Sequence, residues 1–177
     1  NTTRRQRQMC IRDSYNVYLN DPRNINLGKK LITNKKILIE KERLKEINET
    51  QSHEILINHT TPYSPFDILE NKSLLLENNF DNLNAIDWDK GCYVGQEITA
   101  RMKYRGLLKK KLYALKIKSG DVLEGDELIV DNKKIGTIVS KANSNIFAAL
   151  NINFVNEIKN KNQNLVINDS LSFDFLN

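Results

Sequence analysis

The sequence predicts an α+β fold, with a mixed amino-terminal part followed by a small antiparallel β-barrel. Near the start, two alternating apolar runs surround a turn, which indicates a pair of strands. Residues 38–57 space isoleucines and leucines among lysines and glutamates at helical intervals. Beyond residue 110, short alternating runs separated by turn residues follow one another, a pattern typical of small barrels and sandwiches.

The amino-terminal elements follow from these patterns. We predict one strand from Tyr15 to Leu19 and a second from Leu27 to Ile32, with the break between them at 21–23. One or two amphipathic helices are predicted between Leu38 and Ile57. Residues 60–65 contain two prolines, so they are predicted to form a loop.

The carboxy-terminal part is predicted to hold six strands: Leu112–Ile117, Glu127–Val130, Ile135–Val139, Ile146–Ile152, Leu165–Ile167 and Leu171–Phe175. Asp131-Asn132 and residues 143–145 provide the turn chemistry between them. The change of pattern places a domain boundary near 105–108, which divides the chain into domains at 15–106 and 107–177.

Residues 1–14 differ from the lysine-rich remainder because they hold four arginines: Arg4, Arg5, Arg7 and Arg12. The run from Gln8 to Ser14 resembles the translation of a transposon-end adapter used in sequencing libraries. We interpret residues 1–14 as an assembly scar and expect the protein to continue upstream of Tyr15. Without this segment and its net charge of +3, the formal charge falls from +5 to +2, which is a weak basis for nucleic-acid binding.

The two cysteines also limit the function. Cys10 belongs to the predicted scar, so Cys92 stands alone and cannot form an internal disulfide or a cysteine-rich metal cage. No stretch is long and apolar enough for a membrane span, and no secretory signal is visible. We therefore expect a protein without a membrane partner, cytoplasmic in a bacterium or in the mitochondrial matrix of a eukaryote.

The strongest chemical signal is the run Lys90-Gly91-Cys92-Tyr93-Val94-Gly95-Gln96-Glu97. It leads into a short helix predicted from about Gln96 to Tyr104, whose first N–H groups are unpaired and partly positive. A thiol held there is expected to be more acidic than a free one, and the same loop can cradle a carboxylate. Gln96 and Glu97 can read a ring that presents both N–H and C=O edges.

A structural interpretation of the same residues is also open. In it, Cys92 is a small buried apolar side chain and the two glycines form a tight turn. Glu97 then caps the helix and pairs with Arg101 four residues later. An isolated Gly-Cys-X-X-Gly would favour this interpretation, whereas the longer run does not.

The run from Lys90 to Glu97, followed by Arg101 and by Tyr104-Arg105-Gly106, resembles the signature of the YgfZ family of folate-binding proteins. The segments 21–23 and 76–79 resemble stretches that this family shares in part with the glycine-cleavage T-protein. The likeness extends from Tyr15 to the end of the chain and is strongest between residues 74 and 112.

This resemblance implies a partial T-protein-like folate-binding domain, a tetrahydrofolate-type cofactor and a role in supporting iron-sulfur enzymes, including those that modify tRNA. It makes Cys92 the functional thiol. The ligand-binding residues that it implies are Lys90, Gly91, Tyr93, Gly95, Gln96, Glu97, Arg101 and Glu77. Iron-sulfur enzymes or assembly factors are the implied partners, and no metal site is predicted. The family's amino-terminal region, which contributes much of the folate pocket, corresponds to sequence upstream of Tyr15.

Two other functions are weighed against this one. The first is an aminomethyltransferase of the T-protein type, which the cysteine signature argues against. The second is a tRNA-binding module that uses a strip of six cations without an acid between them: Arg101, Lys103, Arg105, Lys109, Lys110 and Lys111. His53 and His59 lack metal-ligand spacing, and Trp88 is predicted to be a core or interface residue.

Overall fold

A computed structural model of the chain describes residues 16–33, 45–91, 95–161, 164–167 and 170–176. The predicted scar therefore lies outside the described residues, as do Cys92 and Tyr93. The described part is an α+β structure, and its carboxy-terminal half is a nearly closed antiparallel barrel. The α+β class and the carboxy-terminal barrel are confirmed, whereas the T-protein-like character of the amino-terminal part stays a prediction.

The first element is an antiparallel hairpin of β1 (Asn16–Asn20) and β2 (Lys29–Thr33), joined through a 3-10 turn at Ile25–Leu27. Asp21 fixes the start of this connection. Its buried carboxylate accepts hydrogen bonds from the Arg23 backbone N–H at 3.0 Å and from Arg23 Nη2 at 2.7 Å. Lys30 Nζ lies 3.3 Å from the same group. The two predicted strands are thus confirmed, and a charged clamp holds the turn between them.

The Asp21 clamp makes a pH-dependent contribution to stability. Side-chain hydrogen bonds from Arg23 hold the pKa of Asp21 well below its usual range, against the opposing effect of burial. A carboxyl whose pKa is lowered on folding stabilises the protein above its unfolded pKa of about 3.9, and this contribution is lost as the pH falls further.

We therefore expect Asp21→Asn to lower the free energy of unfolding by about 1–3 kcal/mol at pH 7. The difference from wild type should shrink in urea titrations below about pH 4. The matched control is Asp131→Asn, which changes an exposed aspartate and should have little effect at either pH. A difference that stays constant between pH 7 and pH 3 would contradict the clamp.

Helix α1 (Glu49–Asn58) begins at a reciprocal cap. The Asn48 side chain accepts a hydrogen bond from the Gln51 N–H at 2.8 Å, and the Gln51 side chain accepts one from the Asn48 N–H at 3.1 Å. This arrangement satisfies two N–H groups that a helix start leaves unpaired. The helix buries His53 and Ile57, and it confirms the carboxy-terminal part of the helical prediction for residues 38–57.

The described residues between α1 and the next helix, 59–91 and 95–96, form turns and loops rather than regular elements. They attach to the barrel at its first strand: the Leu112 N–H donates to the Glu77 carbonyl at 2.8 Å, and Asn79 Nδ2 donates to the Leu112 carbonyl at 2.7 Å. The predicted loop at 60–65 is confirmed and contains a cis Ser64-Pro65 bond. Helix α2 (Glu97–Tyr104) then follows as predicted.

The barrel is a six-stranded sheet among the described residues, and all six predicted strands are confirmed. The strands are β3 (Lys110–Ser119), β4 (Glu127–Val130), β5 (Lys133–Ala142), β6 (Asn145–Asn151), β7 (Leu165–Ile167) and β8 (Leu171–Phe175). Their order is β4-β5-β6-β3-β8-β7, every pair is antiparallel, and the edge strands β4 and β7 contact each other. The domain boundary near 105–108 stays a prediction.

The barrel carries a core on each side of its wall. Inside lie Leu115, Ile138, Phe173 and their neighbours, whereas Phe147 on the outer face packs with Ile57 of α1. A β-bulge separates the two environments within β5, because the pairing shifts from Ile138 opposite Ala148 to Ser140 opposite Phe147. The extra residue turns Ser140 to the outer face, towards the loop that follows α1.

One element of the barrel was not predicted. Helix α3 (Ile152–Asn160) follows β6 directly, and the Asn151 side chain caps it by accepting hydrogen bonds from the N–H groups of Asn153 and Phe154. Val155 packs into the barrel interior from this helix. The predicted strand Ile146–Ile152 therefore ends at Asn151, and Ile152 belongs to the helix. No helix in the described ranges is long and apolar enough to cross a membrane.

Candidate functional site

The candidate site is the loop that contains the Lys90–Glu97 run. The structure describes Lys90, Gly91 and the part from Gly95 onward, whereas Cys92, Tyr93 and Val94 lie outside the described residues. Gly95 has a φ of +96°, a left-handed conformation that favours glycine. The roles of Cys92 and Tyr93 stay predictions.

Helix α2 starts immediately after Gly95. Gln96 occupies the N-cap position, but its side chain makes no capping hydrogen bond. Its amide therefore does not satisfy the first N–H groups of the helix, which carry partial positive charge. The side chain instead lines a small cavity beside the loop.

This cavity has a volume of about 190 Å³ and is enclosed by the segment 85–90 and one face of α2. Two residues of the motif, Lys90 and Gln96, contribute to its wall, and Trp88 lies between them and the apolar side. The remaining lining residues are Leu75, Ala85, Ile86, Asp87, Thr99, Ala100 and Tyr104. The structure thus brings two predicted ligand-binding residues together around one cavity.

Trp88 is held against α2 rather than buried in a core. Lys103 Nζ lies 3.6 Å from the centre of the indole ring, and the ring of Tyr104 meets it edge-on with centroids 6.3 Å apart. A cation at this distance over an indole is favourable. Trp88 is only half-buried and lines the candidate cavity, so it is not a core residue, and the interface role stays a prediction.

Glu97 and Arg101 do not line the cavity. Arg101 Nη2 lies 2.5 Å from Glu97 Oε1, and both side chains are more than half exposed, at 55% for the arginine and 73% for the glutamate. This pair matches the structural interpretation given above, in which the two residues stabilise the helix from its solvent face. Their assignment to ligand binding stays a prediction.

Glu77 does not line the Trp88 cavity beside the motif loop. Its carboxylate lies 3.3 Å from Lys110 Nζ, and it lines a second, larger groove that shares no lining residue with the Trp88 cavity. The structure therefore does not bring Glu77 together with Lys90 and Gln96. Its predicted contact with the same ligand stays a prediction.

The cationic strip proposed for tRNA is divided by intramolecular partners. Arg101 pairs with Glu97, Lys103 lies over Trp88, Lys110 pairs with Glu77, and Lys111 lies 3.5 Å from Asp81. Of the six cations, Lys103, Arg105 and Lys109 have no ion pair with an acid among the described residues. The sequence shows the cations as a run, but the acids that meet Lys110 and Lys111 come from distant positions.

Sequence reasoning missed a buried polar cluster between α1 and the barrel. His53 Nε2 lies 2.9 Å from Asp67 Oδ1, and the Ser140 hydroxyl donates to the same oxygen. Asp67 Oδ2 accepts the Tyr63 N–H at 2.7 Å. His53 is thus satisfied within the protein, as expected for a histidine without metal-ligand spacing. Across the described ranges, no group of three or more histidine, cysteine or acidic side chains could hold a metal ion.

Comparison with known proteins gives several relatives that are named as mitochondrial iron-sulfur cluster assembly factors. The chain is 34% identical over 121 residues to the mitochondrial iron-sulfur cluster assembly factor IBA57 homologue of Dictyostelium discoideum, covering 64% of this chain and 30% of that relative. It is 30% identical over 102 residues to the mitochondrial iron-sulfur cluster assembly factor IBA57 of Homo sapiens, covering 56% of this chain and 28% of that protein.

A shorter match has a higher sequence identity. Over 51 residues the chain is 47% identical to the mitochondrial IBA57 homologue of Neurospora crassa, covering 29% of this chain and 12% of that relative. No protein-family model matches the chain. The similarity thus spans less than a third of the length of each of these relatives. Over that part, the chain is similar to proteins named as mitochondrial iron-sulfur cluster assembly factors.

Proposed function

We propose that this chain is part of an iron-sulfur cluster assembly factor, in which the Lys90–Glu97 loop binds a tetrahydrofolate-type ligand beside the Cys92 thiol. The observation that carries the proposal is the similarity to IBA57 proteins over as many as 121 residues. The amino-terminal part is then a partial T-protein-like domain, and the clients are iron-sulfur enzymes, including tRNA-modifying ones. Since the relatives are named as mitochondrial, the mitochondrial matrix is the proposed location in a eukaryote.

Tetrahydrofolate fits the described residues in part. The Trp88 cavity of about 190 Å³ is smaller than the roughly 300–1,000 Å³ of sites that enclose a whole small molecule. Gln96 offers a donor and an acceptor to a ring edge, and Lys90 offers a cation to a carboxylate. We infer that the cavity holds one ring of the ligand. When bound, tetrahydrofolate supplies a carrier for one-carbon units.

The chain's own chemistry in this proposal is the thiol. Cys92 lies four residues before the N-cap of α2, and a thiolate near a helix start is stabilised by the unpaired N–H groups. Such a thiol can act as a nucleophile or a metal ligand, which suits handling of an iron-sulfur cluster as cargo. An aminomethyltransferase would not require it. Glycine-cleavage activity with a lipoyl carrier protein would favour that alternative.

The test of function is complementation by the full-length gene product in cells that lack their own IBA57-type protein. Wild type should restore the activities of two iron-sulfur enzymes, one of them a tRNA-modifying enzyme. Cys92→Ala, expressed at the same level, should leave both activities at the level of the empty vector. The control Tyr104→Phe keeps the cavity wall and should rescue. Equal rescue by Cys92→Ala would show that the cysteine has a packing role and that the thiol is not needed for function.

The test of the ligand uses Trp88, which is the chain's single tryptophan. Titration with tetrahydrofolate should change its emission, because the indole lines the cavity. Gln96→Leu should weaken the titration about tenfold, the effect of losing a directional hydrogen bond to a buried ring edge. Lys116→Gln changes an exposed residue of the barrel outside the cavity and should leave the affinity unchanged. An unchanged emission at saturating ligand would refute ring binding in this cavity.

A further inference from the structure

A second groove lies between the segment 67–78 and the outer face of strands β3, β5 and β6. It has a volume of about 670 Å³, which falls in the range of sites for small molecules. Five lysines line it: Lys72, Lys109, Lys110, Lys111 and Lys134. The acids in its lining are Asp67 and Glu77. The groove is therefore strongly cationic, although the chain as a whole carries a modest charge.

The acids in the lining leave much of this positive charge unbalanced. Asp67 is fully committed to the buried cluster with His53 and Ser140, so it does not face a ligand. Glu77 meets Lys110 at 3.3 Å, which is longer than the roughly 2.7–2.9 Å of a strong ammonium–carboxylate hydrogen bond. Outside the lining, Glu127 pairs with Lys134 and Asp81 lies near Lys111. Lys72 and Lys109 therefore carry the positive charge that no acid meets among the described residues.

Three of the lysines retain donors for another anion. Lys111 Nζ lies 3.5 Å from Asp81, a loose contact for an ammonium group with three N–H donors. Lys72 and Lys109 make no ion pair among the described residues. Like charges held this close repel each other unless an anion binds between them.

Part of the remaining wall of the groove is apolar. Leu69 and Leu107 are each about half exposed, at 53% and 52%, and Val139 and Ala149 line the groove on the barrel side. Thr137 adds a hydroxyl to the lining, and Ser73, Asn78 and Asn151 add further polar groups. An inorganic anion would use the lysines but leave the leucines in water, whereas an apolar group would cover them.

We propose that this groove binds a small organic anion, with an apolar ring or chain over Leu69 and Leu107 and a phosphate or carboxylate group among the lysines. The site goes beyond the proposed function, because it shares no lining residue with the Trp88 cavity and does not involve Cys92. Its occupant is a separate ligand from the ring placed beside Gln96.

The probes are naphthyl phosphate, naphthoate and inorganic phosphate, measured by calorimetry on the full chain. At least one naphthyl anion should bind about tenfold or more tightly than inorganic phosphate, because burying its rings adds apolar contact. The stronger of the two naphthyl probes identifies the anionic group. Trp88 emission should not change, which separates this site from the proposed folate cavity. Equal binding of inorganic phosphate, or binding of none of the probes, overturns the proposal.

Matched variants separate the groove from general surface charge. The double variant Lys72→Gln with Lys109→Gln should weaken the naphthyl anion about tenfold, as expected for two lost charge-assisted contacts at a partly exposed site. Lys45→Gln with Lys116→Gln removes the same charge from exposed lysines outside the groove and should change the affinity less than about twofold. An equal loss in both pairs would show nonspecific attraction and overturn the site.

A third variant tests shape while keeping every lysine. Thr137→Trp places a large side chain over the floor of the groove and should abolish naphthyl binding without changing the net charge. Because it leaves the lysines intact, this variant decides the question even if the double lysine variant is poorly folded. Undiminished binding to a folded Thr137→Trp protein would overturn the proposal.

Discussion

Asp67→Ala should lower the free energy of unfolding by about 3–5 kcal/mol, a large fraction of the stability of a domain of this size. The carboxylate is fully buried and serves His53, Ser140 and the Tyr63 N–H at once. Removing the carboxylate leaves these buried partners without a hydrogen-bond acceptor, because water does not take its place. Each buried donor left without an acceptor costs about 1–3 kcal/mol.

Urea unfolding measures this effect, with Asp89→Ala as the matched control because Asp89 is exposed and receives no side-chain hydrogen bond among the described contacts. The control should stay within about 0.5 kcal/mol of wild type. A double-mutant cycle with Ser140→Ala should give a coupling of about 0.5–3 kcal/mol between the two side chains. A loss below about 1 kcal/mol for Asp67→Ala would show that the cluster does not join α1 to the barrel.

Phe147→Ala should be comparably damaging, with an expected loss of about 3–5 kcal/mol in the free energy of unfolding. Phe147 is fully buried on the outer face of β6, where it packs with Ile57 of α1 and with Leu112, Ala114 and Ala142 of the barrel. The surrounding backbone is held in strands and a helix, so the cavity cannot collapse easily. The lost contact loosens the attachment of α1.

Denaturant unfolding with Leu123→Ala as control distinguishes burial from a general effect of truncation. Leu123 is 68% exposed, and its truncation should cost less than about 0.5 kcal/mol. The melting of α1 can be followed separately by hydrogen exchange, since the N–H groups of this helix should lose protection before those of β3. Similar losses for the two variants would contradict the outer-face core.

The barrel was predictable because its strands obey a local rule. Alternating side chains face the two sides of a sheet, and the turn residues between strands have suitable backbones, as Asp131 and Asn132 show with φ values of 50° and 60°. Helix α3 was not predicted, because its first turn continues the apolar run of β6. The available signal was Asn151, which caps the helix by accepting from two N–H groups.

The polar contacts depended on long-range packing and could not be inferred from spacing. Asp67 lies 14 residues from His53 and 73 residues from Ser140, and only the folded chain brings them to one point. The partners of the cationic strip illustrate the same limit, because the motif loop and helix α2 separate Asp81 from Lys111 in the chain. The order of the charged residues in the sequence therefore did not show which of them pair in the folded chain.

The candidate site was predicted in part. The motif correctly located the start of helix α2, and two of the residues that it implied, Lys90 and Gln96, line one cavity, although their ligand-binding role stays a prediction. It did not separate Glu97 and Arg101, whose side chains pair on the solvent face of α2, from those that face the cavity. Which side chains of α2 face the cavity depends on how the helix packs against the rest of the protein. The motif sequence contains no information about this packing.

The bulge in β5 makes Val139 an extra residue in the pairing with β6. Val139 is half-buried, so a similar side chain there should be tolerated. Removing the residue would make Ile138 and Ser140 consecutive, and strict alternation would then keep Ile138 inside the barrel and Ser140 on the outer face, where they already lie. Single-residue deletions in β5 should therefore be tolerated at Val139 and damaging at regularly paired positions, a distinction that a scan of point mutations alone would not detect.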